Sequence, residues 1–191
     1  MKKIILASGS PRRKQLLEQI GLDFEVAVSN VDEAFNPDLK PNQQPGYLSK
    51  KKAQAVAAKF PSSIIIAADT LVVVGNEVMG KPKDKMDAKR ILKKLSGKMH
   101  LGITGFTIID TSSGRSITKS IETKIWFRKL TENEIVSFVE REKPYDKAGA
   151  YAIHELASIF VEKIEGDFFN VVGLSVYELA NELKKFGVKI I

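Results

Sequence analysis

A chain of 191 residues with 43% apolar and 28% charged residues is long enough for one substantial core and has a globular composition, unlike disordered or collagen-like chains, so that no fibrous or solenoid reading is needed. The 30 Lys and Arg outnumber the 23 Asp and Glu, and the resulting +7 either favours anionic partners of any kind or reflects a lysine-rich, solubilising surface. With no cysteine and two histidines, disulfides, thiolate catalysis and cysteine-ligated zinc are excluded, and a histidine-based zinc site has little room.

The apolar residues 4–7 are too few for a signal-peptide core, and no run approaches the roughly 20 apolar residues of a membrane span. A cytoplasmic protein is therefore expected. Residues 4–7 read as a short buried strand. A helix follows from Pro11, with Ser10 as its N-cap, Leu16, Leu17 and Ile20 on one face, and Gly21 as its stop. Phe24, Val26 and Val28 alternate with Glu25 and Ala27, which predicts a half-buried second strand running toward Val31, Asp32 and Glu33. Residues 36–45 are a polar loop with three prolines, and residues 46–60 form a helix in which Lys52 and Lys59 flank the stripe of Leu48, Ala55 and Val56. Pro61 closes that helix.

The unbroken apolar run 63–68 predicts a fully buried strand whose end emerges at Asp69 and Thr70. Residues 72–74 and 77–79 flank Gly75 and Asn76 as a hairpin. Residues 84–95 form a helix stopped at Gly97, and the long alternating segments 101–110 and 115–127 pair antiparallel across TSSG. Thr131 and Glu134 give a capping box that opens a helix ending before Pro144. A strand at 158–164, a turn at Gly166 and a helix at 175–186 complete the order. Hairpins mix with crossovers, so the class is α/β (mixed α+β) with a mixed sheet and one domain over residues 1–191.

The stretch SGSPRRK, residues 8–14, places Ser8, Gly9, Arg12 and Arg13 where a strand turns into a helix N-terminus. Unpaired N–H groups and the positive dipole end favour an anion there, and arginine forks match phosphate oxygens. The alternative is an exposed basic first turn. Asp69 is placed either to hold a metal or take a proton from water, or simply to cap a turn. Glu33 gains interest only if folding brings it near Asp69, where two carboxylates suit Mg²⁺ or Mn²⁺. Lys81 precedes a proline in GKPKD, Lys52 reads by default as part of a solvated helix face, and His100 and His154 as structural imidazoles.

Taken together, ILASGSPRRKQLL, the Glu33 region, LSKKKAQAVA, AADTLVVVGNEVMGKP, LKKLSGKMH, DKAGAYAI and FFNVVGLSV resemble, in order and over essentially the whole chain, the Maf family of nucleoside triphosphate pyrophosphatases. The resemblance implies hydrolysis of a nucleoside triphosphate at the α–β linkage with a divalent cation, Mg²⁺ or Mn²⁺. It also implies an elongated mixed sheet flanked by helices, two lobes around a cleft, kinship with inosine triphosphate pyrophosphatases, and a homodimer. Position by position, it puts Ser8, Arg12, Arg13, Lys52 and Lys81 on the triphosphate. It makes Asp69 the general base and has Glu33 help to hold metal or water.

Thr70 and DKAGAY look like the branch acting on dTTP and UTP, but His154 stands where that branch has glutamine, Ala152 where it has glycine, and Ser175 where proline is usual. Glu155 adjoins His154, and a branch acting on 7-methyl-GTP uses a glutamate nearby. Changed base choice is thus one rival reading. The other is a non-catalytic nucleotide- or nucleic-acid-binding regulator of division and septum formation, although no basic-aromatic interleaving suggests a strand-binding groove, and no stable nucleic-acid or membrane partner is expected.

Overall fold

Two apolar runs set the centre of the sheet. In a computed structural model describing residues 2–191, β1 (Lys3–Leu6) runs parallel to β3 (Ser63–Val74), with Ile4, Ile5 and Leu6 opposite Ile64, Ile65 and Ile66. These strands are buried on both faces, which is why they read as continuous apolar runs instead of alternating ones. The seven-stranded sheet has the order β2-β1-β3-β5-β6-β7, comprising β2 (Glu25–Val26), β5 (Met99–Asp110), β6 (Ser116–Phe127) and β7 (Val161–Glu165). β4 (Glu77–Met79) pairs back on β3 through the predicted hairpin. Parallel pairs at β1 and antiparallel pairs at β4 and β7 make the sheet mixed, as expected. The fold class is α/β with helices α1 (Pro11–Gln19), α2 (Gln44–Ala57), α3 (Lys85–Leu95), α4 (Glu132–Glu142), α5 (Phe168–Val172) and α6 (Val176–Lys185).

Several local expectations change. β3 does not end at Ala68; it continues through Asp69 and Thr70 to Val74, so Asp69 lies within a strand. β2 is only two residues long, and Val26 and Val28 are exposed instead of half-buried, because this strand forms the outer rim next to β1. The stretch before β7 is a 3₁₀ turn, Leu156–Phe160, and α5 has no counterpart in the pattern reading because five residues carry too little periodicity. Ser10 occupies the cap position of α1 without a side-chain cap bond. The predicted capping box of α4 forms as expected, with Thr131 Oγ1 accepting from Glu134 N.

The chain forms two compact units. The first comprises residues up to Asp69, Thr104–Ile121 and Gly173–Ile191, with a core of Ile5, Ala7, Ala53, Val56, Ile65 and Ala67. Gly105 fixes the seat of α2: a Cβ there would come within 2.2 Å of the backbone at Pro45 and Gly46, so only glycine lets the helix start lie on β5. The second unit, Thr70–Ile103 and Glu122–Val172, packs α3 and α4 through Ile91, Leu92, Leu95, Ile135 and Val139 around Phe127, Phe138, Tyr151 and Phe160.

Candidate active site

In the first unit, the turn after β1 brings Ser8 and Arg13 together. Arg13 is buried on the inner face of α1; its Nε donates to Gly173 O at 3.0 Å and its Nη1 to Ser8 Oγ at 3.1 Å. Ser8 Oγ also accepts from Ser10 N at 3.3 Å, so the hydroxyl ties the turn to the guanidinium. Burial lowers the Arg13 pKa and neighbouring Arg12 lowers it further, while Asp69 and Glu33 act the other way. Arg12, in the same first turn, is half-buried.

Lys52 does not lie on a solvated face. It is buried on α2, and its Nζ donates to Asp69 Oδ1 at 2.6 Å and lies 3.0 Å from Glu33 Oε1. The condition set for Glu33 is therefore met: folding gathers it with Asp69, through a lysine that sequence reading assigned elsewhere. The loop carrying Glu33 is held by Lys51, whose Nζ donates to Asp32 O at 2.7 Å. Gln44 ties the following loop, with Nε2 donating to Asn36 O and Leu39 O and Oε1 accepting from Asn36 N. Behind Lys52, one turn back on α2, Ser49 Oγ lies 2.8 Å from Thr107 Oγ1, which lies 2.8 Å from Thr118 Oγ1, a hydroxyl chain that is buried at Ser49 and Thr107, reaches the surface at Thr118 and pins the helix to β5 and β6.

Sequence reading missed Lys51, Gln44 and Gly173 as supports. Lys51 and Gly173 lie inside LSKKKAQAVA and FFNVVGLSV, Gln44 lies outside every motif, and none is marked as a support because a bond to a backbone carbonyl leaves no trace in side-chain pattern.

No group of three or more His, Asp or Glu side chains suited to a metal gathers among the described residues. Glu33 and Asp69 nevertheless converge on a single cation, the Lys52 ammonium. Two carboxylates completed by phosphate oxygens and water are the usual donor set for a hard divalent ion, so their chemistry fits one.

The second unit carries Thr70, Lys81 and His154. Thr70 follows Asp69 on β3, and Lys81 is exposed just after Gly80, whose carbonyl accepts from Gly149 N at 3.1 Å. Gly149 has φ +72°, and a Cβ there would come within 2.9 Å of Val72, so the AGAY turn lies directly against β3. His154 Nε2 lies 3.8 Å from Glu155 Oε1, and Glu155 also faces Lys147 at 3.6 Å. His100 is a structural imidazole as expected: its Nε2 lies 2.8 Å from Tyr151 OH, and burial lowers its pKa to about 4. Ser175 is likewise structural, buried at the start of α6 with Oγ accepting from Glu178 N at 3.3 Å. No helix among the described residues is long and apolar enough to cross a membrane.

The profile of the Maf-like protein family matches residues 3–186. A dTTP/UTP pyrophosphatase of Acetivibrio thermocellus is 48% identical over 198 residues, covering 100% of this chain and 98% of its own length. Another dTTP/UTP pyrophosphatase, of Cytophaga hutchinsonii, is 50% identical over 183 residues, covering 95% of this chain and 83% of its own. Among solved structures, a HAM1 protein from Coxiella burnetii is similar at TM-score 0.45 and 12% identity, covering 68% of this chain and 75% of its own. With its motifs in family order and a profile match over nearly its full length, the chain belongs to the Maf family.

Proposed function

We propose that this protein is a nucleoside triphosphate pyrophosphatase that hydrolyses dTTP and UTP at the α–β linkage to the nucleoside monophosphate and pyrophosphate. The observation that carries the reading is the pairing of buried Lys52 with buried Asp69 and with the exposed Glu33 at its edge, in the same unit as Ser8 and Arg13. A carboxylate and an ammonium paired in the interior, as Asp69 and Lys52 are, cost more desolvation than apolar packing would, which favours a binding or catalytic use of the pair. The relatives named dTTP/UTP pyrophosphatase supply the substrate class.

In the proposed reaction the oxygen of a water molecule bonds to the α-phosphorus while the bond from that phosphorus to the bridging oxygen breaks. The bond's electron pair leaves with pyrophosphate. Asp69 takes the proton of the attacking water at a carboxylate oxygen, and Glu33 helps to orient that water. Arg12 and Lys52 neutralise the charge that grows on the departing phosphates, and Arg13 holds Ser8 and the turn in place. A divalent ion bound by Glu33 and Asp69, Mg²⁺ or Mn²⁺, would supply Lewis-acid polarisation of the phosphate and a more acidic water. Thr70, Lys81 and His154 are read as substrate contacts on the family resemblance, with His154 selecting the base by one donor or acceptor where an amide offers both.

The test is pyrophosphate release, with Mg²⁺ or Mn²⁺, from a panel of dTTP, UTP, CTP, 7-methyl-GTP and the purine triphosphates. Preferential turnover of dTTP and UTP is the expected result. Turnover of another base would transfer attention to His154 and Glu155. Absence of release from every nucleotide would sink the enzyme reading.

A further inference from the structure

Lys52 and Arg13 are both buried cations in the first unit, yet they are held in different ways. Arg13 is fixed by a backbone carbonyl and a hydroxyl, at Gly173 O and Ser8 Oγ. Lys52 is held by two carboxylates, Asp69 Oδ1 at 2.6 Å and Glu33 Oε1 at 3.0 Å. Its ammonium therefore stands where the two candidate metal ligands converge.

A lysine ammonium is a point charge on a flexible four-carbon stem with three donors, and it can exchange one set of anionic oxygens for another at little geometric cost. A planar guanidinium bonded on two edges cannot. A divalent ion sharing Glu33 and Asp69 with the ammonium would put three positive charges within a few ångströms, and beside the buried Lys52 and Asp69 water screens that repulsion only in part, from the open side at Glu33. Ammonium and divalent ion are thus competitors for one pair of carboxylates. A polyphosphate supplies the alternative: its oxygens give the ammonium a new partner.

We propose that Lys52 is an internal cation that occupies the Glu33–Asp69 pair in the nucleotide-free protein and cedes it to a divalent ion when a polyphosphate draws the ammonium away. The proposal rests on the reading of Glu33 and Asp69 as metal ligands, and it adds the order of events: metal and polyphosphate bind with positive coupling, and the free protein takes up metal weakly. By linkage, whatever each ligand adds to the affinity of the other is reciprocal.

The experiment is calorimetric titration of Mn²⁺ into the nucleotide-free full chain. Lys52→Met and Lys52→Gln should bind Mn²⁺ about tenfold or more tightly than the wild type, a coupling of ordinary size for neighbouring sites. Adding Asp69→Asn to Lys52→Met should return the affinity to the wild-type level. Equal Mn²⁺ affinity in the wild type and both single variants overturns the proposal.

Loss of the charge can unfold the chain, which circular dichroism would reveal, and a wild-type measurement then decides. In metal-free protein, the Lys52 Nζ resonance, assigned as the signal lost in Lys52→Arg, should shift when inorganic tripolyphosphate is added. An unmoved resonance at saturating tripolyphosphate overturns the proposal as well. Pyrophosphate release by the wild type is scored separately: release without a gain in Mn²⁺ affinity leaves the enzyme and removes the masking role of Lys52, whereas no release from any triphosphate removes the enzyme reading.

Discussion

The two compact units bury polar groups for opposite ends. In the first, Arg13, Lys52 and Asp69 are charged side chains in the interior, each held by named partners. In the second, the interior is a cluster of aromatic rings: Phe127 packs edge-on to His100, Tyr151 and Phe160 with centroids 4.8, 4.8 and 5.9 Å away, and the one imidazole among them is kept neutral by burial. Apolar packing stabilises a fold at lower desolvation cost than buried ions do. The difference teaches that the first unit spends desolvation on paired interior charges, one of them the Arg13 tie and another the Lys52–Asp69 pair, whereas the second unit is held by its rings.

Substitutions in each unit should therefore fail in different assays. The largest effect is expected for Asp69→Asn, which should lower kcat for pyrophosphate release by about 10²- to 10⁴-fold with circular dichroism unchanged. Full turnover in that variant would remove Asp69 from the base role. Phe127→Ala should instead cost about 3–5 kcal/mol in urea denaturation, because a fully buried ring leaves a cavity between α3, α4 and the sheet. A loss under about 1 kcal/mol would show that the cluster refills the space.

His100 gives the contrast a pH signature. Its pKa is lowered from 6.5 to about 4, so the folded state prefers the neutral ring. The stability this contributes is fully present above pH 6.5, is lost as pH falls toward 4, and amounts to at most about 3 kcal/mol. Denaturation midpoints recorded between these pH values should fall less steeply in His100→Leu than in the wild type, and identical slopes would clear His100 of the effect.

Arg13→Lys keeps the charge but loses the fork that reaches Ser8 and Gly173 together. About a tenfold fall in kcat/KM is expected, and unchanged kinetics would show that the turn holds itself. The smallest effect belongs to Ser175→Ala, where loss of the cap on Glu178 N should lower stability by about 1 kcal/mol without touching turnover.

Pattern reading located the site's elements better than it judged their surroundings. Pro11, Gly21, Thr131 with Glu134, and the Gly75–Asn76 turn act between near neighbours in the chain, so the elements they bound were legible. Asp69 was recognisable as a carboxylate following an apolar run, but its place inside β3 was not, since β-branched residues on both sides of Asp69 and Thr70 carry the strand onward once β4 pairs with it. The solvated-face reading of Lys52 fails for a related reason: a lysine on a helix shows its stem and charge, while its partner Asp69 lies 17 residues away.

The sequence by itself determined the order of the strands and of every helix but α5, the mixed class and, through ordered motifs, the family, because hydrophobic period, caps and turn residues act over a few positions. Only the tertiary structure decided that Arg13 is an interior tie, that Lys52 stands between Glu33 and Asp69, and that Ser8 serves the turn. Those contacts join residues as far as 160 positions apart, as between Arg13 and Gly173, and they exist only once the sheet has brought distant strand ends and helices together.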